Sequence, residues 1–271
     1  MRVVVCVLKN YYEGINMHVH APLSLIATIL LVAVLGAVPA TALAAGTSET
    51  VMFRYNAQHT GDYSPVAGGR ASDGHLNWTY PTEGIVDSSP TVANGIVYVG
   101  SWDRNIYALN AETGKLVWSY ATGSPVESSP AVTNGVVYVG SDDGNVYALN
   151  AGSGAKVWSY ATQGYVDSSP ALANGVVYDG SKDGNVYALN AETGGLMWSY
   201  TTWGRADSSP IIANGVVYVG SGDHNIYALD AGTGAKVWSY MTGNSLGSPA
   251  VANGVVYVGS GDHSIYAFGK S

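Results

Sequence analysis

A stretch of about 40 residues ending in Trp-Ser-Tyr returns at Trp118, Trp158, Trp198 and Trp238, with Trp78-Thr79-Tyr80 standing alone ahead of it. A fixed period of that length means one supersecondary unit stacked on copies of itself, because each unit can bury its apolar face only against its neighbours. In the copy from Val126 to Tyr160, four short β-rich runs are separated by turn residues: Ser128 to Val132, Val136 to Gly140, Val146 to Leu149 and Lys156 to Tyr160. Asn134-Gly135 between the first two is a strong hairpin signal, since a tight turn matching strand twist needs positive φ at its central residues. Each copy therefore reads as a four-stranded antiparallel meander.

Four-stranded units arranged around an axis make a β-propeller. The fold expected is all-β, five blades, with the orphan segment 76–80 pairing with the last repeat, which has three strands of its own, to close the ring and remove its edges. Ser-Ser-Pro at 88–90, 128–130, 168–170 and 208–210, shortened to Gly247-Ser248-Pro249, is placed in the first strand at the axis. The composition agrees with short strands and tight turns: Gly is abundant at 35 residues, and Tyr at 20 far outnumbers Phe at 2.

The repeats fill the chain from residue 76 to 271, leaving no room for a separate catalytic domain. A lead-in covers 46–75. Residues 1–45 carry an apolar run from Leu23 that ends in the small residues Ala42-Leu43-Ala44-Ala45. That pattern is a signal peptide, or a membrane anchor if it is not cut, with either Met1 or Met17 as the start. Both readings put the repeats outside the cytoplasm: secreted, periplasmic or on the cell surface. Membrane contact is expected only through this segment.

The net charge of −8 and the absence of clustered Lys and Arg argue against a nucleic-acid partner. The one cysteine, Cys6, precedes the repeats, so the repeats hold no disulfide or thiolate site. No serine sits in a nucleophile elbow.

Asp87, Glu127, Asp167 and Asp207 recur just before the first strand of four copies and give way to Leu246 in the last. Four carboxylates converging on an axis suit a hard divalent cation such as calcium; the alternative is that they cap strand ends or bond neighbouring serine hydroxyls and amides. A second acidic series, Asp103, Asp143, Asp183, Asp223 and Asp262, reads as turn chemistry. The inter-blade loops depart most from the repeat, and Tyr165, Trp203 and Arg205 there are residue types favoured in binding rims, although drift of an unconstrained loop produces the same variation. Asp179 replaces the Val of the other copies without explanation from sequence.

At Tyr147-Ala148-Leu149-Asn150-Ala151, Gly154 and Trp158, and again at Ala111, Thr113, Gly114, Trp118 and Ala191, Thr193, Gly194, Trp198, the chain resembles the tryptophan-docking repeat of pyrroloquinoline-quinone-like propellers. The lead-in from Arg54 to Gly61 is similar to the opening of secreted members. The resemblance implies that the Trp residues pack between blades. It covers two kinds of protein: BamB-type outer-membrane assembly propellers that bind without chemistry, and quinoprotein dehydrogenases with a metal-bound quinone, a catalytic Asp and adjacent cysteines. The repeats lack those cysteines, so pyrroloquinoline quinone is not expected. The sequence points to a non-catalytic scaffold binding a protein or glycan on one rim. The alternatives are a quinone-dependent or metal-assisted oxidoreductase and a structural envelope protein.

Overall fold

Every repeat begins with a hairpin whose Asn-Gly turn takes left-handed backbone at both residues, φ 51° at Asn134 and 73° at Gly135, as a type I′ turn requires. The computed structural model describes residues 74–269, all within the unit Ser48–Ser271. The signal-type segment, Met17, Cys6 and nearly all of the lead-in lie outside the described residues. Among these residues there is no helix, and so none long and apolar enough to cross a membrane.

The first blade is β1 (Thr91–Ala93), β2 (Ile96–Gly100), β3 (Asn105–Asn110) and β4 (Leu116–Ala121). The second is β5 (Ala131–Thr133), β6 (Val136–Gly140), β7 (Asn145–Asn150) and β8 (Lys156–Ala161). The third is β9 (Ala171–Ala173), β10 (Val176–Gly180), β11 (Asn185–Asn190) and β12 (Leu196–Thr201). The fourth is β13 (Ile211–Ala213), β14 (Val216–Gly220), β15 (Asn225–Asp230) and β16 (Lys236–Met241). The fifth has three strands, β17 (Ala250–Ala252), β18 (Val255–Gly259) and β19 (Ile265–Phe268). Each is an antiparallel meander in chain order, and the third and fourth strands of every complete blade slip register at one bulge, Ala108/Leu109 in the first.

The core lies between blades, not within them. Tyr98, Ile106, Ala108 and Trp118 of the first blade pack on Val132, Val137, Val139, Tyr147, Leu149 and Ala151 of the second, and the same junction follows twice more. Trp118 is seated by two contacts. Its indole N–H donates to the Ala151 carbonyl at 2.8 Å, and its ring lies on Gly154, where a Cβ would come within 2.7 Å of the indole. Gly154 also has φ 71°. Both space and backbone demand glycine there. Trp78, Trp158 and Trp198 repeat the arrangement on Ala111, Ala191 and Ala231. Trp238 has no such carbonyl among the described residues; its ring packs on Phe268 at 5.3 Å, beside an open groove of about 920 Å³ also lined by Tyr218, Asn253 and Val255.

The Ser-Ser-Pro segments precede the first strands instead of starting them, because their polar groups serve the blade junctions. Ser89 N–H donates to Ser129 Oγ, Ser129 N–H to Ser169 Oγ, Ser169 N–H to Ser209 Oγ and Ser209 N–H to Ser248 Oγ, at 2.9–3.0 Å. This directional line of bonds ties the five inner segments together.

The closure expected from residues 76–80 is not present. They form no strand, and β19 pairs only with β18. Trp78 and Tyr80 are held instead by the first blade, packed on Val99, Tyr107 and Leu109. Docking on that face does not by itself bring the last strand alongside.

Asp179 lies in β10 opposite Tyr187, 1% exposed, where the other blades carry Val. Its Oδ1 accepts from Gly180 N–H and its Oδ2 has no partner. Burial, opposed by bonds from Ser168 and Gly180, pushes its carboxyl up to about 8. A folded-state value above the unfolded one means that the native form holds the extra proton, so stability falls as pH rises from about 4 to about 8. Asp179→Asn should flatten that decline and raise the thermal midpoint at pH 8 by roughly 4–8 °C, corresponding to about 2 kcal/mol, measured as melting curves between pH 4.5 and 8.5. The junctions give a second test: Trp118→Ala should cost about 3–5 kcal/mol in denaturant unfolding and Trp238→Ala about half that, because only Trp118 sits in a complete dock.

Candidate binding rim

The loops that join one blade to the next are fastened by the turns between second and third strands. Asp143 shows the design: Oδ1 accepts from Asn145 N–H at 3.0 Å, while Oδ2 accepts from the Tyr147 hydroxyl at 2.7 Å and from Gly123 N–H of the preceding loop at 2.7 Å. Burial would raise this carboxyl, but the bonds from Tyr147, Asn145 and the backbone outweigh it and hold it below the usual range. Asp103, Asp183 and Asp262 fasten Glu83, Gln163 and Gly243 in the same way. The acidic turn series is thus turn chemistry, as expected, with a further task. Arg104, His224 and His263 occupy the left-handed turn position that Gly144 and Gly184 take in other copies. Four of the five loops are fastened in this way, and the fifth is joined to the same set of turns through Thr202 N–H, which donates to the Gly184 carbonyl.

Trp203 breaks the pattern. It has φ 64°, a conformation strained for a bulky side chain, and the residue is 88% exposed. Asp223 keeps the Tyr227 hydroxyl but takes no bond from Trp203 N–H. Gly204, next in the loop, is needed because a Cβ there would collide with the Asp223 backbone. Arg205 lies beside Asp207, Nε to Oδ2 3.8 Å, and is largely solvated. Tyr165 is 55% exposed. The blade-three turn Lys182-Asp183-Gly184 stands between the two loops: Lys182 N–H donates to the Tyr165 carbonyl, and Gly184 abuts the Gly204 carbonyl. The rim residues expected from sequence therefore flank one turn.

Lys182 itself, with Asp142 and Trp102, escaped the sequence reading. These residues occupy one register, just before the turn aspartate, where the copies read Trp102, Asp142, Lys182, Gly222 and Gly261. Variation at one position of an otherwise constant frame was the available signal. Lys182 Nζ pairs with Asp167 Oδ2 and lies 5.4 Å from the Tyr165 ring centroid, within cation–π range. Asp142 faces Asp167, and their Oδ1 atoms are buried without a donor. A proton on Asp142 supplies one, and burial followed by the Asp167 charge pushes Asp142 up to about 7. Glu127 is raised by burial and by Asp167, with Lys182 opposing.

The four recurring carboxylates do not act alike. Asp167 is paired with Lys182, Asp207 lies beside Arg205, and Glu127 responds to Asp167. Among the described residues no three His, Cys, Asp or Glu side chains gather closely enough to hold a metal ion, and none of these residues is a cysteine. Among the described residues the donor set does not fit the metal-bound quinone site that the resemblance implies for dehydrogenases.

The family model described as outer membrane protein assembly factor BamB matches residues 64–211 and 161–271. BamB from Moraxella catarrhalis aligns at TM-score 0.52 and 21% identity, over 71% of this chain and 76% of its own. Quinohemoprotein alcohol dehydrogenase from Comamonas testosteroni aligns at TM-score 0.69 and 21% identity, over 81% of this chain and 47% of its own. A quinohemoprotein alcohol dehydrogenase from Pseudomonas putida aligns at TM-score 0.59 and 22% identity, over 70% and 42%. At these identities the likeness is one of fold, and the chain spans under half of either dehydrogenase. No curated protein matches. The two family matches together cover well over half of the sequence, and the repeated tryptophan docks account for them: the chain belongs to the pyrroloquinoline-quinone-like propeller family whose model is described as outer membrane protein assembly factor BamB.

Proposed function

We propose that this protein is a non-catalytic binding scaffold acting outside the cytoplasm, which recognises a protein or glycan through the rim patch of Tyr165, Trp203 and Arg205. The observation that carries this reading is Trp203. A tryptophan held in strained left-handed backbone and left almost fully exposed contributes nothing to packing, and its position on a rigid scaffold suits an anchor for a partner surface. Glycine would relieve the strain at that position, so the retained indole is a functional cost carried by the fold. The family description, an assembly factor for outer membrane proteins, favours a protein partner over a glycan and a location outside the cytoplasm. Arg205 and the Lys182–Tyr165 pair border the patch with charge and aromatic surface, a mixture suited to a polar rim around an apolar anchor.

Pull-down from a solubilised envelope fraction, run beside a glycan array, tests the proposal. Trp203→Ala should lower retention at least tenfold, and Tyr165→Ala and Arg205→Ala should each lower it severalfold. Trp203→Gly should lose binding while gaining about 1 kcal/mol in stability. Equal retention by all these variants would remove the rim from the function. Turnover of an alcohol or sugar after addition of pyrroloquinoline quinone, calcium and an artificial electron acceptor would replace the scaffold with the oxidoreductase reading.

A further inference from the structure

The two ends of the row of blades are the two halves of one junction. Across each internal junction, the outgoing face presents a Tyr from the second strand, a β-branched residue and an Ala from the third, and a Trp and Tyr from the fourth. At the first junction these are Tyr98, Ile106, Ala108, Trp118 and Tyr120. The fifth blade carries the second- and third-strand members at Tyr257, Ile265 and Ala267, and lacks the fourth strand. Trp78 and Tyr80 are the missing fourth-strand members, already seated on the first blade.

The surfaces that remain are correspondingly bare. Ile265 is 84% exposed where Ile106, Val146, Val186 and Ile226 are 0%. Tyr257 is 43% exposed where Tyr98, Tyr138 and Tyr178 are 3%, and Val86 is 46% exposed where Val126 and Val166 are 0%. One edge of β19 has no strand beside it.

We propose that the fifth blade of one copy docks on the first blade of a second copy, whose residues 76–80 add to β19 as its fourth strand. Continuity with the internal junctions identifies the occupant: among the described residues, Trp78 and Tyr80 on the first blade carry the fourth-strand pair that the internal junctions use, without a blade of their own. Among the described residues, 76–80 and β19 are not paired within one chain, and a second copy offers the complementary half with the side chains of the internal junctions. The contact is head-to-tail, joining different patches on the two copies. Such contacts generate a closed ring if the rotation allows and a filament otherwise.

Extending the register Asn105↔Ala121 and Asn145↔Ala161 places Ser264 opposite Pro81. The full chain with Cys6→Ser should therefore be made in two single-cysteine forms, Pro81→Cys and Ser264→Cys. Oxidation of the mixture should give a disulfide-linked pair of chains that neither form gives alone, and Ile265→Asp should abolish it. A bond formed only within single chains carrying both cysteines would show that the ring closes on itself and would overturn the proposal. The absence of any bond would overturn it equally. For the unsubstituted chain, hydrogen exchange at Ile265–Phe268 should slow as protein concentration rises; exchange independent of concentration would again be contrary.

Discussion

The tryptophan seated on the next blade's turn is the contact on which the rest of the structure depends. Each indole needs a flat, side-chain-free floor and a carbonyl at the right height, and Gly154 and Ala151 provide these for Trp118. The same carbonyl also accepts the Tyr98 hydroxyl at 3.1 Å, so one turn satisfies both polar atoms that the aromatic pair would otherwise bury unpaired. Because each four-stranded sheet has two faces and little interior of its own, this junction is where its apolar area leaves water. Blade-to-blade orientation follows from it, and so does the sharing of one rim by all the inter-blade loops.

That rim combines a stiff frame with variable tips. Turn aspartates bond the loop in front of them, their own strand and a tyrosine hydroxyl, leaving the loop little freedom. At Trp203 one fastening bond is missing, the backbone is strained and a large apolar ring faces solvent. Nearby, Asp142, Asp167 and Lys182 form a compact charged group in which one cation serves several carboxyls. Tyr165, Trp203, Arg205, Asp142 and Lys182 gather on the second to fourth blades as aromatic surface bordered by charge.

Much of the fold was legible in the residues. Asn134-Gly135 and its equivalents marked the hairpins because few other pairs accept left-handed backbone at both positions, and the second to fourth strands followed to within a residue, while the first begins three residues later than Ser128. The 40-residue return of Trp located the junctions. The site was legible only in part. Tyr165, Trp203 and Arg205 stood out as departures in the loops, but Lys182 and Asp142 did not, since a salt bridge between a turn and the neighbouring pre-strand segment joins residues with no sequence pattern in common. The acidic series before the first strands looked like one set; lysine and arginine neighbours divided it.

The sequence by itself determined the repeating unit and its four strands, because these depend on local backbone preference and on a period that each copy restates; the docking role of tryptophan came from the family resemblance. Only the tertiary structure decided that residues 76–80 dock on the first blade without pairing with β19. Whether residues 76–80 reach β19 depends on the angle accumulated over four junctions. That angle is set by how whole faces pack, and no single residue encodes it. The burial of Asp179 and the exposure of Trp203 were decided in the same way, because each depends on what the neighbouring blade places beside it.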